Sequence, residues 1–171
     1  EIKTIAKNIN SKNTNVILGD KTEIIYGDGY IYDFLGSKKF KISPMSFYKV
    51  NTVQTEKIYS KALEYARLTG EETLFDLYCG IGTIGIFASD NVKKIYGIET
   101  ISEAIKDAEE NAKINGVENS EFFVGDVEKV LPELIKTRNL SADVVFIDPP
   151  RKGCDKIALD TLLEVEPNRI V

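Results

Sequence analysis

The sequence predicts an α/β protein: a doubly wound parallel sheet preceded by a small antiparallel β segment. Two observations support this fold class. From Thr73 onward, short apolar runs rich in β-formers alternate with segments of helical period, as in β-α units that build a parallel sheet. Residues 1–44 instead contain short β-type runs separated by glycine turns, as in an antiparallel meander.

The amino-terminal segment, residues 1–44, is predicted to be the end of a β domain. Its β-type runs read NVILG, TEIIYG, YIYDFLG and KFKIS. Turn signals separate them at Gly19-Asp20, Gly27-Asp28-Gly29 and Gly36-Ser37. We expect these four runs to form one antiparallel meander.

Residues 45–70 are predicted to be a bridging segment and a helix. The period becomes helical at Asn51, which forms a capping pair with Gln54, and the helix is expected to stop near Gly70.

Residues 71–171 are predicted to form the main, ligand-binding domain. A capping box of Thr100 and Glu103 is expected to begin its second helix, which ends at Asn115-Gly116. The predicted strands are TLFDL, KKIYGIE, EFFVGD and ADVVFID, followed by RIV at the end; the other predicted helices are IGIFAS, VEKVLPELI and residues 156–164. The chain starts at Glu1 without an initiator methionine and ends in an apolar run, so we expect a fragment that is cut at both ends and incomplete at its carboxyl end.

Composition excludes several classes of function. The formal charge of −5 and the pI near 5.0 provide no basic footprint typical of a self-sufficient nucleic-acid binder. The absence of histidine removes Ser-His and Cys-His pairs and most zinc sites, and we predict no metal site. The two cysteines lack C-x-x-C spacing, and no apolar run is long enough to span a membrane, so we expect a cytoplasmic protein.

The stretch DLYCGIGTIG, residues 76–85, contains a glycine fingerprint that suits either a dinucleotide or S-adenosylmethionine. Asp76 favours the second ligand, because a carboxylate beside the turn would repel a pyrophosphate and attract an ammonium and a sulfonium. In that case Gly80 and Gly82 chiefly permit close approach of the backbone.

Carboxylates follow four consecutive predicted strands: Asp76, Glu99, Asp126 and Asp148. Each alone can be a turn former, but we expect all four to rim one crevice at the carboxyl ends of the strands. Glu99 follows the first glycine by about 20 residues, where an acid accepts hydrogen bonds from ribose hydroxyls. Asp126 is placed either to accept from an adenine amine or to lead its helix as a turn residue.

The string FIDPPRKGC, residues 146–154, ends the fourth strand. Proline fixes φ and restricts the residue before it, so Asp148-Pro149-Pro150 is predicted to be extended with its carbonyls toward the crevice. Such a segment is typical of methyltransferases that act on planar bases, although a structural turn is the alternative.

From Ser43 to Val171 the sequence resembles the S-adenosylmethionine-dependent RNA uracil-5 methyltransferases, which make 5-methyluridine in 23S ribosomal RNA or in tRNA. The resemblance rests on SFYKVNTVQTEKIY, DLYCGIGT, GIE, VGD and DPPRKG in this order. It implies a Rossmann-like class I methyltransferase fold, S-adenosyl-L-methionine as cofactor, and RNA as partner, with ribosomal RNA favoured over tRNA. It implies neither a membrane nor an obligate protein partner.

The resemblance also implies roles for residues. Cofactor contacts fall on Tyr78, Thr83, Glu99, Asp126 and Asp148, and the segment Pro149, Pro150 and Arg151 would face the substrate, with Lys152 beside it. The family usually has glutamine where this chain has Lys49, which cannot accept a hydrogen bond and adds positive charge near a cationic cofactor. Lys49 therefore either points toward RNA phosphate or reduces cofactor affinity.

The family's catalytic cysteine lies in a Ser-Cys-Asn-Pro segment that would follow Val171, so no catalytic residue is expected in this chain. Cys154 lies beside Arg151 and Lys152, which could activate a thiol, but the family places its nucleophile elsewhere. Cys79 is expected to be a packed residue.

These observations predict methylation of a uridine at C5, in 23S ribosomal RNA, through a cysteine–uracil adduct, with the fragment inactive alone. The alternatives are a methyltransferase for adenine or cytosine nitrogen, and a non-catalytic module that binds S-adenosylmethionine or RNA. A dinucleotide-dependent oxidoreductase remains the weakest alternative.

Overall fold

A computed structural model describes residues 1–13, 17–19, 21–151 and 153–171. A five-stranded parallel sheet forms its centre, with the order β7-β6-β5-β8-β9. The strands are β5 (Thr73–Leu77), β6 (Lys94–Glu99), β7 (Ser120–Val124), β8 (Val144–Ile147) and β9 (Arg169–Ile170). The predicted doubly wound α/β fold is confirmed.

Strand order reverses beside β5, because β6 and β7 extend the sheet on one side and β8 and β9 on the other. Ligands of such sheets bind at this switch point, outside the carboxyl ends of the strands. The helices between the strands are α2 (Thr83–Ala88), α3 (Ser102–Ile114), α4 (Val127–Arg138) and α5 (Lys156–Val165).

The sheet buries apolar side chains on both faces, as expected when helices cover a parallel sheet on two sides. Phe75 and Leu77 of β5 pack in one cluster with Leu131 of α4 and Leu162 of α5. Leu74, the residue before Phe75, belongs to the cluster on the opposite face. The central strand is therefore apolar on both sides, which explains why its sequence does not alternate.

The amino-terminal strands differ from the predicted meander. They form two separate antiparallel pairs, β1 (Thr4–Ile9) with β2 (Lys21–Gly27) and β3 (Ile31–Leu35) with β4 (Lys38–Ile42). The sequence did not predict β1. The predicted strand NVILG falls partly outside the described residues, and its last three residues do not lie in a strand. The Asn8 side chain ties β1 to its surroundings by donating to the Gly19 carbonyl and the Thr22 hydroxyl, both at 2.9 Å.

The β3–β4 hairpin packs on the parallel sheet's own helices. Leu35 and Phe40 are fully buried and share a cluster with Ile81, Ile86 and other apolar residues of the α2–α3 layer. The hairpin thus extends the core that surrounds the glycine loop.

Two helix starts were predicted from capping residues, and one of them is confirmed. Helix α1 (Thr52–Ala66) begins after Asn51, whose Oδ1 accepts from the Gln54 amide at 3.2 Å. The prediction of a Thr100–Glu103 capping box is wrong, because α3 begins at Ser102 without a side-chain cap. The Glu99 carboxylate accepts from Thr100 Oγ1 instead, and so removes that hydroxyl from the capping role.

Candidate functional site

The glycine loop follows β5 and requires its glycines for two different reasons. Gly80 and Gly82 have φ values of 55° and 77°, in the left-handed region that favours glycine. A Cβ on Gly82 would also lie 3.1–3.2 Å from the side chains of Ile86, Phe122 and Ala108, so that this glycine permits close packing of the loop on α3 and β7. At Gly80 the only heavy atom within 4 Å of an added Cβ, among the described residues, is the Phe47 carbonyl oxygen at 3.9 Å. The loop backbone is therefore open to a ligand at Gly80.

Asp76 lies at the predicted strand end, but its carboxylate does not rim the crevice. The residue is 1 % exposed, and Oδ2 accepts from the Gly85 amide at 3.0 Å. Burial raises the pKa of Asp76 to about 7; the Gly85 hydrogen bond opposes this shift, and the charges of Asp148 and Glu99 add to it. Asp76 is thus influenced by the charges of Glu99 and Asp148, and of these three acids only Asp76 is buried.

Glu99, at the end of β6, is held against the glycine loop. Its Oε2 accepts from the Gly80 amide at 3.2 Å, while Oε1 accepts from Thr100 Oγ1 at 2.9 Å and from the Ile101 amide at 3.0 Å. These three donors fix the carboxylate at the carboxyl edge of the sheet. A carboxylate fixed there is suited to accept hydrogen bonds from ribose hydroxyls.

Asp126 and Asp148 complete the predicted set of acids. Asp126 directly precedes α4 and pairs with Lys129 Nζ at 2.6 Å. Asp148 follows β8, has a side chain 57 % exposed, and pairs with Lys49 Nζ at 2.7 Å. Lys49 therefore neutralises an acid at the mouth of the crevice, an arrangement that the sequence did not predict.

A cleft of about 370 Å³ opens beside this ion pair, between α1 and the carboxyl end of β8. Glu99 and Asp126 are not among its lining residues, so the cleft occupies the Asp148 side of the switch point. It is lined by Lys49, Ile58, Tyr59, Ala62, Ile84, Phe146, Ile147, Asp148 and Val171. The mostly apolar lining with one ion pair at its edge suits a planar group.

Thr83 and Tyr78 flank the glycine loop. Thr83 Oγ1 and the Tyr59 hydroxyl share a hydrogen bond of 2.8 Å, which joins α2 to α1. Burial raises the pKa of Tyr59, so this hydroxyl stays protonated. Tyr78 is half-buried at a φ of 63°, and its buried hydroxyl has no hydrogen-bond partner among the described residues. Tyr59 was not predicted as a site residue, since its only signal in the sequence is its place on the apolar face of α1.

The Asp-Pro-Pro segment leads into a tight turn. Pro149 is half-buried, whereas Pro150 and Arg151 are exposed, and the Gly153 amide donates to the Pro150 carbonyl at 2.8 Å. Lys152 lies outside the described residues. The exposed side chains of this turn are accessible to a large substrate.

The two cysteines occupy different environments. Cys79 is 5 % exposed, and burial, with further contributions from Asp76 and Glu99, raises its pKa well above the usual range. The expected packing role of Cys79 is consistent with this environment. Cys154 is half-buried beside Tyr78. Within the described parts of the chain, no group of acidic or cysteine side chains could hold a metal ion, and no helix has the length and apolar character to cross a membrane.

Comparison with known proteins defines the class. A family model described as a methyltransferase domain matches residues 68–165. Relatives named uncharacterised RNA methyltransferases occur in Bacillus cereus, 52 % identical over the whole chain, and in Clostridium acetobutylicum, 53 % identical over 99 % of it. The chain spans 37 % of the length of both relatives.

Solved structures agree with this result. A tRNA (uracil-54, C5)-methyltransferase from Pyrococcus abyssi, in complex with S-adenosyl-L-homocysteine, matches 99 % of this chain and 40 % of its own, with a TM-score of 0.76 and 26 % identity. A tRNA m1G37 methyltransferase from Methanocaldococcus jannaschii, with a TM-score of 0.62 and 18 % identity over 85 % of this chain and 43 % of its own, shares the fold.

The fold is that of a Rossmann-like methyltransferase, and the chain belongs to the methyltransferase domain family. Within that family, its predicted resemblance to RNA methyltransferases is confirmed.

Proposed function

We propose that this chain binds S-adenosyl-L-methionine at the carboxyl edge of its parallel sheet and is the cofactor-binding part of an RNA uracil-5 methyltransferase. The observation that carries the proposal is the Glu99 carboxylate held by the Gly80 amide at the switch point of the sheet. This arrangement presents a fixed acceptor for ribose beside a backbone that is open to close approach.

Each predicted residue has a role in this proposal. Glu99 accepts from the ribose hydroxyls, Asp126 accepts from the adenine amine, and Gly80 and Gly82 let the ligand approach the loop. Asp76 acts from beneath the loop, because its buried carboxylate holds the start of α2. The remaining proposed cofactor residues are Lys49, Tyr78, Thr83 and Asp148.

The proposed reaction requires a residue from outside this chain. A cysteine thiolate after Val171 would attack C6 of the uracil, which makes C5 nucleophilic. S-adenosylmethionine, held by the residues named above, would supply the methyl group to C5 and leave as S-adenosylhomocysteine. A carboxylate removes the C5 proton, and the electron pair of that bond re-forms the C5–C6 double bond as the sulfur–C6 bond breaks. The turn at Pro149, Pro150 and Arg151 would lie against the target base, and the cleft beside Asp148 provides an apolar wall for it.

The substrate class of the proposal is RNA, with 23S ribosomal RNA favoured. Support for RNA comes from the names of the curated relatives, and support for uracil C5 comes from the fold of the Pyrococcus abyssi enzyme together with the DPPRKG motif.

Nucleoside analysis tests this proposal. The full-length protein is incubated with S-adenosylmethionine and with unmodified 23S ribosomal RNA or tRNA, and the digested RNA is analysed by mass spectrometry. We expect 5-methyluridine in ribosomal RNA; methylated adenosine or cytidine without 5-methyluridine would contradict the proposal. Replacement of the downstream cysteine should abolish product, whereas Cys154→Ala should retain it.

A further inference from the structure

Helix α3 is joined to β4 and to the segment that follows it by three polar side chains spaced four residues apart. Asn115 Oδ1 accepts from the Lys39 amide at 2.8 Å, and its Nδ2 donates to the Lys39 carbonyl at 2.7 Å. Asn111 repeats this pattern with Lys41, at 2.6 and 3.2 Å. We call Asp107, Asn111 and Asn115 the polar ladder.

The third side chain of the polar ladder continues the pattern beyond the strand. Asp107 accepts from the amide and hydroxyl of Ser43, at 3.2 and 2.9 Å, and from the hydroxyl of Ser46 at 2.7 Å. It therefore anchors the start of the segment that carries Lys49 to the crevice.

Repeat distances explain why one helix face can pair with a strand edge. Four residues of α-helix rise about 6 Å, and two residues of a strand advance about 6.7 Å. Ladder residues at i, i+4 and i+8 therefore stay in register with strand residues at j, j−2 and j−4. The side-chain amides take the place of another strand, because they pair with backbone N–H and C=O groups at the exposed edge of β4.

Among the described residues, Asn111 makes one contact that the other ladder residues lack. Its Nδ2 also donates to the carbonyl of Ile81, at 3.3 Å, and Ile81 is the residue between Gly80 and Gly82. Asn111 is fully buried, so losing these bonds leaves their partners unsatisfied in the protein interior. One side chain thus binds both the hairpin and the glycine loop.

The two structures joined by Asn111 both lead to the crevice at the carboxyl ends of the strands. β4 continues into the segment with Phe47 and Lys49, and Lys49 pairs with Asp148. The carbonyl of Phe47 faces Gly80 across the loop. A change in the spacing between hairpin and loop would therefore change the width of the proposed cofactor site.

We propose that Asn111 is a positioning residue that fixes the glycine loop relative to the β3–β4 hairpin and so sets cofactor affinity. This inference rests on the proposed function, because it assumes that the loop binds S-adenosylmethionine.

Asn115 provides a matched control. Its side chain makes the same pair of bonds to β4, but within the described residues no hydrogen bond joins it to the glycine loop. The full-length Asn111→Ala and Asn115→Ala variants are compared with the wild type by calorimetric titration with S-adenosylhomocysteine and by amide hydrogen exchange. Both variants should unfold at lower temperature. Only Asn111→Ala should weaken binding, by roughly five- to tenfold, the change expected for losing one buried hydrogen bond, and only it should exchange faster in the peptide covering residues 77–85.

Equal losses of affinity in the two variants, or unchanged affinity and exchange in Asn111→Ala, would overturn the inference. If Asn111→Ala does not fold, Asn111→Ser, whose hydroxyl can keep one partner, replaces it in the same comparison. If the wild type fails to bind S-adenosylhomocysteine, the proposed function fails, and the exchange of the glycine loop still decides whether Asn111 positions it.

Discussion

Replacement of the buried Asp76 by asparagine should change how stability depends on pH. The carboxyl group is 1 % exposed and, mainly because of burial, its pKa rises from 3.8 to about 7. The folded protein therefore binds this proton more tightly than the unfolded chain does. The stabilising effect of the bound proton is complete below pH 3.8, decreases as the pH rises, and is lost above pH 7.

The magnitude follows from the same two pKa values. A shift of one unit corresponds to about 1.4 kcal/mol, and integration between pH 5 and pH 8 gives a loss of about 2–3 kcal/mol in wild-type stability from this group. Asp76→Asn removes the titrating group and with it this loss. The stability of the variant relative to the wild type should therefore increase by that amount between pH 5 and pH 8.

Urea denaturation of both full-length proteins at several pH values measures this difference, and groups common to both proteins cancel. If the two stability curves run parallel from pH 5 to pH 8, the carboxyl group does not titrate as its burial requires, and the reasoning is refuted.

Three further predictions concern the loop, the crevice and the thiols. Gly82→Ala should lower the free energy of unfolding by at least about 1 kcal/mol more than Gly116→Ala in urea denaturation, because both have positive φ but only Gly82 is crowded; equal losses would contradict this. Lys49→Gln should strengthen binding of S-adenosylmethionine roughly threefold relative to S-adenosylhomocysteine, because it removes a positive charge from the crevice; in calorimetry, an equal change for both ligands would disprove this explanation. Iodoacetamide should modify Cys154 roughly tenfold or more faster than Cys79, which is buried with a raised pKa; mass spectrometry of the labelled peptides gives both rates, and similar rates would show that Cys79 is accessible.

The parallel sheet was predictable because each strand is an apolar run rich in β-formers, and because local turn and helix signals separate the runs. Strand β1 was not predictable, because most of its side chains are exposed and its sequence is not an apolar run bounded by turn signals. It is a strand because its backbone pairs with β2, and such pairing depends on residues far away in the chain.

The candidate site was likewise only partly predictable from the sequence. The positions of Glu99 and Asp148 at strand ends followed from the sequence, because parallel strands bring their carboxyl ends to one edge. The residues that pair with these acids could not be predicted from the sequence, since the ion pair of Lys49 with Asp148 joins distant parts of the chain. Likewise, Asn115 was recognised as a helix end, but its bonds reach Lys39, 76 residues away.

Calorimetric titration tests most directly whether the crevice at the carboxyl ends of β5 and β6 binds S-adenosylmethionine. The full-length protein and its Glu99→Gln variant are each titrated with S-adenosylhomocysteine and with NADH. We expect the wild type to bind S-adenosylhomocysteine and not NADH, and Glu99→Gln to weaken that binding roughly tenfold or more, because a charged acceptor for the ribose is lost. Binding of NADH without binding of S-adenosylhomocysteine would contradict the assignment of the cofactor, and equal affinity in the variant would contradict the role of Glu99.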